Sequence, residues 1–263
     1  GRAGGARRRA RLAQALIRFL VVAFSLFACP AHAQEIFPRF DFRFDGQYLT
    51  SSDPRFNWSF NFAGETDVVD YRRGRAMFRA NYEAVAGEQF RRFDVNQGNY
   101  LLEGSTSLRL ARVELALVWH HVSRHLSDRS KNFPIDWNQI AGRLLANWTR
   151  KATVVRWETD LRATVTKAYV DYAWELESTA RVQTPLSGRY AAIGSGNLRL
   201  VGVDGSRARG TQVAGRAEAG VRLNGRAGAA ELFGGIERRL DAYQLEFGTS
   251  SWFLAGFRLT SMP

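Results

Sequence analysis

The feature that most restricts the fold of this sequence is a strict alternation of apolar and polar residues, sustained over long stretches from about Arg39 onward. In Thr153–Val165 the odd positions read Thr, Val, Trp, Thr, Leu, Ala, Val, and the even positions include arginine, glutamate and aspartate. An alternation with period two places the two sets of side chains on opposite faces of a β-strand, and it does not fit an α-helix. The chain is therefore predicted to be all-β.

Runs of this kind predict twelve strands, at residues 39–49, 56–70, 75–86, 98–110, 112–125, 136–149, 153–166, 168–182, 189–203, 211–224, 227–238 and 249–260. Strands of a soluble β-sandwich, the alternative fold, are typically about 5–6 residues long, and these runs are far longer. Long strands with charges of both signs on one face and aromatic residues near their ends are typical of outer-membrane barrels. We therefore predict a single antiparallel transmembrane β-barrel of about twelve strands over residues 34–263.

Residues 1–33 differ from the rest because they contain six arginines and no acidic residue. A basic segment with Arg7-Arg8-Arg9 is followed by an apolar stretch, Phe19 to Ala28, and by Ala31-His32-Ala33. This order is typical of a secretory signal peptide with an A-x-A cleavage site. A lipoprotein anchored at Cys29 is the weaker alternative, because the bulky Phe27 makes a poor lipobox. We predict that residues 1–33 are cleaved and that the barrel lies in the outer membrane of a Gram-negative cell.

Charge and cysteine content exclude several functional classes. The chain has 37 Lys+Arg against 25 Asp+Glu, a net charge of +12, and the leader carries half of this excess. The other arginines are scattered rather than gathered into a phosphate-binding stripe, so no nucleic-acid partner is expected. The single cysteine excludes a disulfide framework and a cysteine-based zinc site. No nucleotide-binding P-loop or H-E-x-x-H motif is present.

The three histidines of the predicted barrel fall in one short stretch, which reads Trp119-His120-His121-Val122-Ser123-Arg124-His125. It ends the fifth predicted strand, so it is expected at the extracellular side of the barrel. Alternation from Leu115, Leu117 and Trp119 places His121, Ser123 and His125 on the lipid face and His120 on the lumen face. Polar groups on the lipid face cost free energy except near the interface, so they point to a function.

Residues two apart on one face of a strand have Cα atoms about 6.6 Å apart, close enough for an imidazole to hydrogen-bond a serine hydroxyl. A base beside a hydroxyl is the arrangement of nucleophilic catalysis. We expect Ser123 to be the nucleophile and His121 the general base. Asn138 lies on the same face of the returning strand, across a loop near 127–135, and is expected to orient the imidazole as the third member of a triad.

Other residues near this triad remain candidates. Asp136 and Asp128 are rivals of Asn138 for the orienting role. Trp119, Arg124 and His125 are expected to contact the substrate.

Non-catalytic interpretations stay open. The histidines could form an interfacial collar that binds lipopolysaccharide phosphates together with Arg124 and Arg129. A zinc site on His121 and His125 is disfavoured, because four residues of strand span about 13 Å. Inward charges could line a narrow channel, but oppositely charged side chains in a twelve-stranded lumen are expected to fill it with ion pairs.

His121-Val122-Ser123, followed after a loop by Trp137-Asn138, resembles the outer-membrane phospholipase A family, whose H-x-S and W-N residues sit outward on a twelve-stranded barrel. The resemblance implies a lipid acyl hydrolase that depends on calcium and acts as a homodimer on outer-membrane lipid. The family continues H-x-S with Asn-Gly, where this chain has Arg124-His125. Calcium ligands are therefore not assigned.

Two further groups share part of the pattern. Lipid A deacylases also use H-x-S, but on a smaller barrel. A group of uncharacterised outer-membrane proteins reads H-x-S-x-H-L-x-D, which this chain matches from His121 to Asp128. A non-enzymatic barrel that is structural, contacts lipopolysaccharide or forms a narrow channel is the alternative function.

Overall fold

The computed structural model describes residues 34–261, and the predicted signal peptide lies outside these residues. The described chain forms twelve β-strands. Their bounds are β1 Glu35–Leu49, β2 Trp58–Asp70, β3 Arg75–Gly87, β4 Asp94–Arg109, β5 Val113–Leu126, β6 Asp136–Arg150, β7 Thr153–Ala168, β8 Tyr172–Ser187, β9 Tyr190–Val203, β10 Gln212–Asn224, β11 Gly228–Leu240 and β12 Thr249–Ser261. Every neighbouring pair is antiparallel, and β1 pairs with β12 to close the barrel.

The connections differ in length between the two ends of the barrel. At one end, the short-turn end, the connections are 71–74, 110–112, 151–152, 188–189 and 225–227. At the other end, the long-loop end, they are 50–57, 88–93, 127–135, 169–171, 204–211 and 241–248. Outer-membrane barrels have short periplasmic turns and longer extracellular loops. No helix in the described part of the chain is long and apolar enough to cross a membrane.

The twelve predicted strands are confirmed, and three of them have limits that differ from the prediction by more than two residues. Strand β8 spans Tyr172–Ser187 rather than 168–182, because Tyr169 adopts a left-handed backbone conformation (φ 69°) that forms a tight turn. Strand β4 begins at Asp94 rather than at residue 98, and β1 begins at Glu35 rather than at residue 39. The added start of β4 contains Asp94, Asn96 and Gln97, which are buried. Polar residues buried at the barrel mouth give no apolar signal to mark a strand.

The outward face of the barrel is apolar, as the alternation predicts. Leu161 is 60% exposed and Leu232 is 71% exposed. Near the long-loop end, aromatic rings form a row in which Trp58 lies 5.2 Å from Tyr48 and 6.3 Å from Phe60, between ring centroids. Such an aromatic belt is typical of the membrane–water interface.

The inward face is filled largely with ion pairs. Arg143, whose side chain is 1% exposed, donates to Glu103 at 3.0 Å and to Asp160 at 2.6 Å. Glu103 also contacts Nδ1 of His120 at 2.7 Å. A polar cavity of about 330 Å³ remains in the lumen beneath the long-loop end. The buried charges of Arg143, Glu103 and Asp160 are tolerated because each has a partner of opposite charge.

Candidate active site

The alternation along β5 fixes which side chains of this strand face outward. Leu115 and Leu117 are 45% and 40% exposed, whereas the residue between them, Ala116, is buried. Continuing this pattern puts His121 and Ser123 on the outward face, near the long-loop end. His120 is 4% exposed and faces the lumen.

A row of hydrogen bonds crosses three strands on this outward face. His121 and Asn138 are direct partners in the β5–β6 ladder, and Nδ1 of His121 lies 2.9 Å from Oδ1 of Asn138. The amide nitrogen of Asn138 donates to Oγ1 of Thr166 at 2.9 Å. An amide oxygen only accepts, so this contact requires the proton of the imidazole on Nδ1 and leaves Nε2 as the free acceptor. A histidine that acts as general base needs this tautomer, in which the unprotonated Nε2 can accept a proton.

Thr166 reaches this row because of a β-bulge. In the β6–β7 ladder Asn138 pairs with Thr166 whereas Gln139 pairs with Thr164, so Val165 is an extra residue. A bulge of this kind shifts the following side chain to the other face. Strict alternation would put Thr166 in the lumen, so sequence reasoning missed it.

Ser123 lies between the imidazoles of His121 and His125, and it forms a hydrogen bond with His125, the one nearer the loop 127–135. Its Oγ is 2.8 Å from Nε2 of His125, and no hydrogen bond joins it to His121 among the described residues. Across the ladders Ser123 pairs with Tyr100 on β4 and with Asp136 on β6. The ring of Tyr100 meets that of His125 edge-on, with centroids 5.3 Å apart.

Two expected substrate contacts have different surroundings. Trp119 stacks on the His121 ring, with centroids 5.9 Å apart and planes 10° apart. Arg124 faces the lumen, is 9% exposed, and donates to the backbone carbonyls of Asp241 and Ala242. It is therefore not part of the outward site. Arg129, the other arginine of the expected phosphate-binding collar, is paired with Asp94 at 2.6 Å.

The two rival orienting carboxylates lie in the loop 127–135 above the site and at its end, where β6 begins. Asp128 forms an ion pair with Arg91 at 2.8 Å. Asp136 begins β6 directly opposite Ser123. Within this loop, burial lowers the pKa of Lys131, and the carboxylate of Asp136 opposes that change.

The residues near the site do not fit a calcium ion held by this chain alone. Calcium takes 6–8 oxygen ligands, several of them carboxylates. Within residues 34–261 no group of three or more acidic, histidine or cysteine side chains is placed to hold a metal ion. No chemical step is therefore assigned to calcium here.

The closed barrel of twelve antiparallel strands, with an apolar outer face and a charged interior, has the fold of outer-membrane β-barrel proteins. Outer membrane phospholipase A from Escherichia coli superposes with a TM-score of 0.52 at 10% sequence identity, over 85% of this chain and 92% of that one. The Salmonella typhi outer membrane phospholipase, solved as a dimer with bound calcium, gives a TM-score of 0.52 at 10% identity, over 88% and 93%.

These likenesses establish the fold alone. The translocator domain of the autotransporter NalP from Neisseria meningitidis also matches, with a TM-score of 0.39 at 8% identity, over 96% of each chain. No protein-family model and no curated protein sequence matches this chain.

Proposed function

We propose that this protein is a lipid acyl hydrolase of the outer membrane, in which Ser123 is the nucleophile, His121 the general base and Asn138 the residue that orients the base. The observation that carries the proposal is the contact between His121 Nδ1 and Asn138 Oδ1 at 2.9 Å, on the outward face and two residues from a serine. Polar side chains on a lipid-facing surface cost free energy. A row of them on this face is therefore best explained by a function.

The reaction follows from the chemistry of the two side chains. Oγ of Ser123 attacks the carbonyl carbon of an acyl ester, and Nε2 of His121 takes the hydroxyl proton. The imidazolium returns this proton to the oxygen of the leaving alcohol as the ester bond breaks. Water then hydrolyses the acyl-serine, with His121 acting as base again. Asn138 keeps Nδ1 of His121 protonated throughout, because its amide oxygen only accepts.

The resting contact of Ser123 with His125 is compatible with this assignment. Serine has three staggered χ1 rotamers, and rotation about χ1 turns Oγ from His125 toward His121 on the same face. His121 is favoured as the base because its second ring nitrogen is fixed by Asn138. In the described part of the chain, the imidazole of His125 forms one hydrogen bond, to Ser123, and no side chain fixes its other ring nitrogen by a hydrogen bond.

The position of the site supports a membrane lipid as the substrate. Ser123 opens toward the lipid side of the barrel, close to the end with the aromatic belt, where ester groups of membrane lipids lie. The substrate is therefore an outer-membrane lipid that approaches from the bilayer. The alternative channel function is less favoured, because buried ion pairs such as those of Arg143 with Glu103 and Asp160 occupy the lumen.

The experiment is fatty-acid release from phospholipid by the refolded protein in detergent, with and without calcium. Wild type should release fatty acid and Ser123→Ala should not. Ser178→Ala is the matched control, because Ser178 is also hydrogen-bonded on the outward face, to Trp157 and Thr159, with no histidine beside it. Absence of release by wild type under both conditions, or full activity of Ser123→Ala, would overturn the proposal.

A further inference from the structure

Residues 241–248, the connection between β11 and β12, fold into the barrel mouth and are called the mouth loop here. Asp241, Ala242 and Gln244 in this loop are 3%, 5% and 3% exposed. Ala242 packs in one apolar cluster with Phe56 and Trp252. The first half of the mouth loop, residues 241–244, therefore lies inside the barrel mouth, whereas Glu246 and Gly248 are exposed.

Asp241 anchors the mouth loop to two other segments, β8 and the connection 204–211. Its carboxylate accepts hydrogen bonds from the Tyr172 hydroxyl at 2.7 Å and from the guanidinium of Arg209 at 2.8 and 2.9 Å. It also accepts from the backbone N–H of Gly248 at 2.8 Å, across the base of the loop. Charge-assisted bonds of this kind are stronger than neutral ones, so the backbone at 241–242 is firmly placed.

This anchored backbone contacts β5 directly behind the candidate site. Arg124 lies between Ser123 and His125 in sequence and donates to the carbonyls of Asp241 at 2.8 Å and Ala242 at 3.1 Å. Gln244 donates from Nε2 to the carbonyl of His125 at 2.6 Å. The mouth loop therefore contacts β5 at two successive residues, through the side chain of Arg124 and the backbone carbonyl of His125.

We propose that the mouth loop positions Ser123 and His125 from inside the barrel, with Arg124 and Gln244 as the positioning residues. The proposal rests on the proposed function of Ser123, but the geometry it describes does not depend on turnover. Residues 123 and 125 face outward and residue 124 inward, so fixing residue 124 and the carbonyl of residue 125 fixes the backbone that directs both outward side chains. Sites that require placement within about 0.5 Å need such support from surrounding residues.

The positioning can be measured without hydrolysis. In a full-length Cys29→Ser background, Ser123→Cys places the single thiol of the chain beside His125. A neighbouring imidazole accelerates alkylation of a thiol by favouring the thiolate. The rate of reaction with iodoacetamide at neutral pH, measured with His125 and with His125→Ala, reports whether the two side chains remain in contact.

The expected result is a non-additive pair of effects. His125→Ala should slow alkylation several-fold when the mouth loop is intact. Gln244→Ala, or Arg124→Gln, should slow it by a similar factor, and adding His125→Ala should then change little. Arg124→Lys should restore part of the rate, because an ammonium group still reaches a carbonyl. Arg156→Gln, an inward arginine far from the mouth loop, is the control and should leave the rate unchanged.

The outcomes separate this proposal from the proposed function. If folded Gln244→Ala and Arg124→Gln proteins keep the full dependence of alkylation on His125, the mouth loop does not position the site. Loss of folding is recognised by loss of heat-dependent gel migration, and Gln244→Ala then carries the test because it removes one hydrogen bond only. A wild type that hydrolyses no lipid overturns the proposed function and leaves the alkylation result standing.

Discussion

His121 and Asn138 face each other as direct partners across the β5–β6 ladder, with Nδ1 of one 2.9 Å from the side-chain oxygen of the other. The ladder fixes the separation of the two Cα atoms, so the imidazole is oriented by the sheet itself. Neither residue depends on a loop for its place. This distinguishes the pair from Ser123 and His125, whose segment of β5 is contacted by residues 241–248 through the Arg124 side chain and the His125 carbonyl.

Asn138→Ala should reduce hydrolysis without abolishing it. Loss of one hydrogen bond of about 1 kcal/mol at the base corresponds to roughly a fivefold fall in rate. Thr166→Val should have a smaller effect, because it removes only the partner of the Asn138 amide nitrogen. Initial rates of fatty-acid release would measure both. An Asn138→Ala protein with unchanged activity would show that the amide does not orient the base.

The two histidines beside Ser123 should differ in their effect on turnover. His121→Ala should lower hydrolysis to the level of Ser123→Ala, and the double variant should lose little more, because members of a catalytic unit act together. His125→Ala should keep most of the activity. Labelling of Ser123 by a fluorophosphonate would report the same contrast. The reverse order would assign the general base to His125.

Arg143→Met should destabilise the barrel by about 2–3 kcal/mol, because it removes the guanidinium that the buried carboxylates of Glu103 and Asp160 share. The cost stays below that of an unpaired buried charge, because Glu103 keeps His120 and Asp160 keeps Arg162. Arg156→Met, at an exposed inward position, should cost much less. Urea unfolding of the two variants in lipid vesicles would give the difference. Equal costs would show that the lumen is more hydrated than the ion pairs indicate.

Leu161→Arg should destabilise the barrel by about 2–4 kcal/mol, because Leu161 is 60% exposed on the lipid face near the middle of β7. Thr153→Arg carries the same charge on the same face at the end of β7, where the expected cost is about 0–1 kcal/mol. The same unfolding assay compares them. If Thr153→Arg were the costlier of the two, the assignment of the membrane midplane would be wrong.

Acidification should loosen the loop at residues 50–57. Hydrogen bonds from Arg55 lower the pKa of Asp53. A depressed pKa in the folded state stabilises the loop above the usual aspartate pKa of about 3.9, and this stabilisation is lost as pH falls through the folded value. Proteolysis or hydrogen exchange of residues 50–57 should therefore increase in strong acid. Arg55→Gln should show the same increase in proteolysis or hydrogen exchange of residues 50–57 already at neutral pH, with little further change on acidification.

The sequence was sufficient to predict the barrel and which side chains of most strands face outward. Lipid on one side of the wall and charges on the other impose an alternation with a period of two. The sequence also predicted that His121 and Asn138 would meet, since the register of β5 and β6 follows from a loop at 127–135. The alternation along β5 also indicated that Arg124 lies inward, although the sequence analysis expected Arg124 to contact the substrate.

The remaining features depend on structure that no local pattern encodes. The bulge at Val165 moves Thr166 to the outward face. The partner of Arg124 lies 117 residues further along the chain, so only the folded topology reveals it. The choice of Ser123 between two imidazoles is a side-chain rotation, which alternation cannot predict.

The closure of the barrel is shorter than its other ladders. β1 pairs with β12 from Arg43 to Leu49, whereas its ladder with β2 extends back to Glu35. Before Arg43, the backbone N–H of Phe42 donates on that side to the side-chain hydroxyl of Ser261 at 2.8 Å rather than to a backbone carbonyl of β12. Because ladder hydrogen bonds resist separation together, the wall should part first along this line when the chain is pulled from an end. The β1–β12 ladder should also be the last to form during insertion, so pairing of these two strands should set the rate at which the barrel closes.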